Sequence, residues 1–281
     1  MKPLKNKYIL MKKAALIITL LIPCLGMAQL ADSTKRLVHL QGALNFRDVG
    51  GYKTNDGKQV KWNRVFRSAS IAGLTDADMD TIRNKHIYTV VDLRGNKESA
   101  AAPDRLLKGT DYTLSPAGSD SLPSSAQMVA YLKKGDFLDS FYGDGGIRYF
   151  GERYKPVFQK LLQLKDTTAL LYHCTGGRDR TGMATALFLY TLGVPQETIE
   201  ADFTASNVYL LPMMGKMFEP MAKATGMSSE EIKKKMDLRP ELLQIFFKSI
   251  EKKYGSIENF MEKEMGIGKK ERAILRKKYT S

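Results

Sequence analysis

The stretch Leu170–Gly193, "LLYHCTGGRDRTGMATALFLYTLG", runs apolar, turns abruptly polar and glycine-rich, and becomes apolar again. "ALLYH", residues 169–173, reads as a strand buried on both faces. "TGMATALFLYTL", from Thr181, reads as a helix closed by Gly193, and Pro195 opens the next one. Between the two sit Cys174 and the charged run Arg178, Asp179, Arg180. In a strand–turn–helix of this kind, the backbone amides of Thr175, Gly176, Gly177, Arg178, Asp179 and Arg180 can point inward as a nest ending at a helix N-terminus. Gly176 and Gly177 permit positive-φ turns and leave room for a bound group.

The spacing from Cys174 to Arg180 is C-x5-R. Arg180 can offer a planar fork of donors to two oxygens of one phosphate. The positive field of a helix N-terminus and its cations favours the thiolate form of Cys174, ready for in-line attack on phosphorus. The Thr181 hydroxyl can donate to the sulfur and ease its departure, while His173 reads as a loop anchor. The bland alternative is a cysteine serving as a small buried apolar residue. The full pattern of His, Cys, glycines, Arg and Thr between the right flanks outweighs it.

Outward from this loop, "IYTVVDL" at 87–93 is a second buried strand, and a short strand is expected near Arg64–Arg67. "LTDADMDTIRNKH" is a helix that Thr75 can cap, with Asp78 in the box position. "RYFGERYKPVFQKLLQL" carries an apolar stripe at Phe150, Tyr154, Val157, Phe158 and Leu161. Residues 100–145 hold Pro103, Pro116 and Pro123 among many Ser, Gly and Asp residues, and read as an irregular crossing over the active face. Helices are expected near 211–225, 239–254, 256–265 and 268–279. The order strand, helix, strand, loop, helix predicts an α/β fold: a central, mostly parallel sheet flanked by helices, with a helical C-terminal extension.

The chain has 281 residues and 43% hydrophobic content, enough for a real core. It carries 44 Lys+Arg against 30 Asp+Glu, a formal +14. Residues 1–28 contribute five lysines and no acid, so the remainder keeps an excess of nine positive charges. That field suits phosphates, membrane headgroups or nucleic acid. No aromatic or motif pattern for nucleic acid accompanies the basic runs, which read as solvated helix faces. Lysines before "AALIITLLIPCLGMA", with Gly26 and Ala28 before Gln29, read as a signal peptide over 1–28, its start at Met1 or Met11. A periplasmic or secreted protein is expected, with 29–281 forming one domain. Its only remaining thiol is then Cys174, which cannot form an internal disulfide.

"HCTGGRDRTG" resembles the signature of the cysteine-dependent tyrosine and dual-specificity phosphatase superfamily, and in particular its bacterial tyrosine-phosphatase-like family. The likeness extends to "NFRDVGGY", "VFRSASIAGLT", "VVDLRGNKE", "DFTASN" and "YGSIENFMEKEMGI", from about Leu40 to Lys278. It implies a parallel sheet with the loop at its C-terminal edge and a phosphoric monoester hydrolase that needs no metal or organic cofactor. It also implies partners that are phosphorylated proteins, lipids or small molecules, with phosphotyrosine, phosphoserine/threonine and inositol phosphates all open as substrates. Arg178 stands where many relatives have lysine, a residue associated there with multiply phosphorylated substrates.

A leaving alkoxide or phenoxide needs a general acid. Asp179, inside the loop, is the first candidate; the alternative makes it a brace paired with Arg47 or Arg67. Asp92, at the end of "VVDLR", is either an acid or a partner of Arg94. Asp139 and Asp144 lie in the crossing and are weaker candidates. Arg47 reads as a tie between the N-terminal segment and the loop rather than a substrate contact. Two competitors stand beside a phosphatase: a non-catalytic phosphate-binding domain, and a sulfur-transfer loop, which the "HC" and "RTG" flanks disfavour.

Overall fold

The computed structural model describes residues 33–117, 124–135 and 137–281. The expected signal peptide lies outside them. Among the described residues no helix is long and apolar enough to cross a membrane.

Five strands form one sheet: β1 (Arg47–Asp48), β2 (Val65–Ser68), β3 (Ile87–Asp92), β4 (Asp111–Leu114) and β5 (Ala169–His173). Their spatial order is β1-β2-β5-β3-β4. β2, β5, β3 and β4 run parallel, and only β1 is antiparallel. β5 is central and fully buried, and its side chains alternate between two cores: Leu170 and Tyr172 face the larger, Ala169 and Leu171 the smaller. A run apolar at every position is what such a strand requires. Parallel register sets Ser68, His173 and Asp92 side by side at one sheet edge, and Cys174 is the next residue out.

The helices are α1 (Ser33–Arg36), α2 (Asp76–Asn84), α3 (Asn96–Ala101), α4 (Ser125–Lys134), α5 (Phe137–Tyr142), α6 (Ile147–Gln163) and α7 (Asp179–Leu192). There follow α8 (Gln196–Tyr209), α9 (Leu211–Thr225), α10 (Ser229–Met236), α11 (Pro240–Tyr254), α12 (Ile257–Met265) and α13 (Lys269–Tyr279). Thr75 and Asp78 form the expected capping box of α2, which covers the smaller core. α6 and α7 cover the other face. α7 is buried almost all round and ends at Gly193. The C-terminal helices pack over α6 and α7. A Cβ on Gly151 would lie 2.4 Å from Cβ of Glu264, so glycine is what lets α6 approach α12 this closely. The Tyr279 ring meets Phe188 edge-on and its hydroxyl donates to the Leu161 carbonyl.

The crossing over 100–145 is more ordered than its composition suggests. It contains β4, α4 and α5, although residues 118–123 lie outside the described part. β4 is a half-exposed edge strand with almost no apolar signal of its own. Ser124 and Gln127 cap α4 reciprocally, and Gly135 closes it in the left-handed region. α4, α9 and α10 share a small core of Leu132, Leu210, Phe218, Ile232 and Met236.

Candidate active site

The loop after β5 is held from outside by its carbonyls. Ser70 N–H donates to the Thr175 carbonyl at 3.0 Å. The Asn45 amide donates to the carbonyls of Gly176 and Gly177 at 3.0 and 2.9 Å, and Arg67 Nη2 donates to Gly177 at 2.8 Å. In a trans peptide the carbonyl and the following N–H point opposite ways. Carbonyls turned outward therefore turn the N–H groups of Gly176, Gly177 and Arg178 inward, into a nest for an oxyanion. Of the two glycines only Gly177 takes a positive φ, +59°. A Cβ there would lie 2.2 Å from the Ser68 carbonyl oxygen, so no other residue fits without moving β2.

Arg180, on the first turn of α7, is nearly buried and locked by a partner the sequence did not reveal. Its Nη1 and Nη2 donate to Oε2 and Oε1 of Glu98 at 2.7 and 2.9 Å. Glu98 also accepts from the Thr175 hydroxyl at 2.5 Å and from Gly95 N–H at 2.7 Å. Burial pushes the Glu98 carboxyl up, but Arg180 outweighs it and the group stays below its ordinary value. Burial opposes the charge on Arg180, and Glu98 and the nearby sulfur more than offset this. The pair uses the end of the guanidinium, leaving the Nε edge for a second oxyanion.

Cys174 is buried as a free thiol at the margin of the larger core. Thr181 follows in α7, and its buried hydroxyl has no protein partner. His173 Nε2 bonds Asp104 at 2.8 Å; Asp104 accepts from Arg94, Arg94 holds Asp92, and the Tyr112 hydroxyl donates to Asp92 at 3.0 Å. This chain clamps the ends of β3, β4 and β5. Asp92 thus pairs with Arg94, as one of its two readings had it; burial raises its carboxyl and Arg94 brings it below the ordinary value. Ligand atoms of Asp92, Asp104 and His173 lie within 4.8 Å of one another, but the Arg94 guanidinium already supplies the cation between the two carboxylates.

The alternative reading of Asp179, a brace paired with Arg47 or Arg67, is corrected in its partners: Asp179 is braced, but by Arg178 and Tyr142. It accepts from the Tyr142 hydroxyl at 2.8 Å and from Arg178 Nε and Nη2 at 3.1 and 3.2 Å. Burial works to raise its carboxyl, and Arg178 with Tyr142 holds it below the ordinary range. Arg178 Nη1 donates to the Met236 carbonyl at 2.9 Å, so its fork joins the loop to α10. Arg47 and Arg67 instead share Asp202, at 3.1 and 2.6 Å. Arg47 is fully buried, which fits a tie and not a substrate contact. Asp139 pairs with Arg239 and Asp144 with Lys252, both partners belonging to the start or body of α11.

Sequence reading missed Glu98, Asp104, Asn45 and Tyr142. The first two lie six and twelve residues beyond Asp92, a signal usable only once β3 is known to lie beside β5.

A profile of the tyrosine phosphatase family matches residues 38–281. The chain belongs to that family. A Cupriavidus necator protein whose name places it among the tyrosine-protein phosphatases is 26% identical over 229 residues, 79% of this chain and 82% of that one. The triple specificity protein phosphatase PtpB of Mycobacterium tuberculosis is 27% identical over 263 residues, 81% of this chain and 93% of its own. Among solved structures, TpbA of P. aeruginosa aligns over 64% of this chain and 89% of its own, with 13% identity and a TM-score of 0.32. The family is one of phosphoric monoester hydrolases, and the α/β architecture with a mostly parallel sheet agrees with that membership.

Proposed function

We propose that this tyrosine phosphatase family member hydrolyses phosphate monoesters through a cysteinyl-phosphate on Cys174. The observation that carries the reading is the loop itself: outward carbonyls, inward amides, and an arginine whose far end is fixed by Glu98. The thiolate Sγ attacks phosphorus while the bond from phosphorus to the leaving oxygen breaks, and that oxygen takes a proton. Amides and the Nε edge of Arg180 take the charge that develops on the equatorial oxygens. Water then attacks phosphorus, the S–P bond breaks, and the free Thr181 hydroxyl donates to the departing sulfur.

Asp179 is the carboxyl group we assign to the proton. It sits in the loop and is partly open to solvent, whereas Asp92 is buried against Arg94, and Asp139 and Asp144 pair with Arg239 and Lys252 away from the loop. In the free protein it is ionised, so the proton must arrive with the substrate: the monoanion of the ester carries one, and the second negative charge left on the phosphoryl group beside the carboxylate raises the carboxylate's affinity for it. The ionised group then serves as base for the attacking water.

Phosphotyrosine is the first substrate to test. The breadth in the M. tuberculosis relative's name makes phosphoserine and phosphothreonine the next, and inositol phosphates follow. Arg178 bonded to Asp179 and the Met236 carbonyl is less available to a second phosphate than a free lysine would be. The test is turnover of p-nitrophenyl phosphate and of phosphopeptides by the wild type and by Cys174→Ser. The variant should lose all measurable turnover yet still bind vanadate. Undiminished turnover would refute the nucleophile, and absence of turnover in the wild type on every ester would leave a phosphate-binding domain.

A further inference from the structure

Arg153 lies on α6 and is only 5% exposed. Its Nη2 donates to the carbonyls of Pro116 and Ala117 at 3.1 and 3.3 Å, and its Nε has no partner. The adjacent Tyr154 is fully buried and its hydroxyl is equally without a partner. Other buried guanidiniums are better served. Arg47, Arg67, Arg94, Arg178 and Arg180 each bond a carboxylate, and Arg36 stacks on the Tyr52 ring at 3.7 Å. Among the described residues Arg153 has neither a carboxylate nor a ring face.

An uncompensated buried cation costs several kcal/mol, and two neutral carbonyls offset only part of that. Burial pushes the Arg153 guanidinium down and Arg180 acts in the same direction, while the neighbouring Tyr154 hydroxyl and, less strongly, the sulfur of Cys174 oppose them. Ala117, whose carbonyl Arg153 holds, sits at φ +45°, a region unfavourable for a non-glycine residue and one that clusters at functional sites. The groups whose charge couples to the Cys174 sulfur are Arg180 of α7 and Arg153 and Tyr154 of α6. Asp179 of α7 is paired with Arg178, Glu98 of α3 with Arg180, and His173 of β5 bonds Asp104. Arg180 is neutralised by Glu98, so the uncompensated positive charge belongs to Arg153.

We propose that Arg153 is a second guanidinium of the phosphatase site, whose missing counter-ion is the Cys174 thiolate and, during turnover, the phosphoryl group the sulfur accepts. This rests on the reading of Cys174 as nucleophile. Arg153 acts as a positioning residue for charge on the sulfur, and its unpartnered Nε is the donor held for a phosphate oxygen.

Two variants of the full chain separate charge from fork. Arg153→Gln keeps an amide that can reach the Pro116 and Ala117 carbonyls but carries no charge; Arg153→Lys keeps charge without the fork. The first readout is alkylation of Cys174 by iodoacetamide as a function of pH, followed by mass spectrometry on the Cys174 peptide so that Cys24 does not contribute. Arg153→Gln should raise the midpoint by about one pH unit and lower kcat/KM for p-nitrophenyl phosphate by about 10²-fold. Arg153→Lys should keep the midpoint but weaken inhibition by inorganic phosphate by about fivefold. An Arg153→Gln protein with the wild-type melting temperature and an unmoved midpoint would overturn the proposal. If that variant does not fold, unchanged phosphate inhibition in Arg153→Lys overturns it instead. The alkylation midpoint is read without turnover, so loss of the nucleophile reading, seen as an active Cys174→Ser, is a separate result.

Discussion

Two groups of buried arginines flank the Cys174 loop, and they are finished differently. On the β1–β2 side, Arg47 and Arg67 converge on Asp202, which also accepts from the Tyr52 hydroxyl at 2.9 Å. Ser206, Asn45 and the Gly177 carbonyl take further donors, and only Arg67 Nε is left over. On the α6–α7 side, Arg180 is held at one end by Glu98, and Arg153 meets no carboxylate at all. A buried network that is nearly saturated can only support what surrounds it. One left short of acceptors, beside a thiol, is arranged for an anion that comes and goes.

The comparison breaks most visibly at Asp202. Its replacement by alanine strands two buried guanidiniums, and removing one partner of such a network costs about 3–5 kcal/mol. Chemical denaturation of Asp202→Ala should show a loss of that size. The pH dependence has a definite sign. Burial would raise the Asp202 carboxyl, but Arg47 and Arg67 hold it well below its ordinary 3.8. Its contribution is therefore complete above that value and is lost as pH falls through the lower folded value. Wild-type stability should drop in that acid window, and the variant should lack this part of the drop. A variant as stable as the wild type at neutral pH would show that the saturated network is not what holds β1, β2 and α8 together.

Glu98 sharpens the contrast, because it belongs to the chemical side. Glu98→Gln keeps shape and one acceptor but loses the charge and the two-point grip on Arg180. We expect a fall in kcat/KM of about 10²-fold, the scale seen when one preorganised oxyanion donor is lost, and a smaller change in stability than at Asp202. A large stability loss with unchanged turnover would move Glu98 to the scaffold.

Which of these residues could be found by reading follows from the same distinction. Cys174, Arg180, Thr181 and the strand and helix around them are local: eight consecutive positions and the period of their flanks specify them. Glu98 and Asp104 were invisible because their roles depend on β3 lying beside β5 in register, a fact of sheet order. Arg153 was hidden for another reason. A lone arginine inside the apolar stripe of α6 reads as a solvated face, and its burial depends on residues 115–117, whose strand β4 is too short and exposed to announce itself. α10 was missed because "SEEIKKKM" offers only two buried side chains, Ile232 and Met236, too few for a period.

Asp179 tests the finest division, between a carboxylate that braces and one that moves a proton. It is bonded like a brace, to Arg178 and the Tyr142 hydroxyl, yet more than a quarter of its side chain is open to solvent, unlike Asp92 and Asp202. Asp179→Asn preserves size and can still accept from Tyr142, but it cannot deliver a proton. If Asp179 is the acid, the loss should depend on the leaving group. An alkyl phosphate, whose alkoxide needs the proton, should suffer about tenfold more than p-nitrophenyl phosphate, whose phenoxide departs without one. Because the carboxyl is held below its ordinary 3.8, the protonated form is scarce at neutral pH and the proton must come with the substrate. Wild-type kcat/KM on the alkyl ester should therefore fall as pH rises past the second ionisation of the phosphate, near 6, and the asparagine variant should lose that fall. Equal losses on both esters with an unaltered profile would return Asp179 to the scaffold and leave the proton to another group.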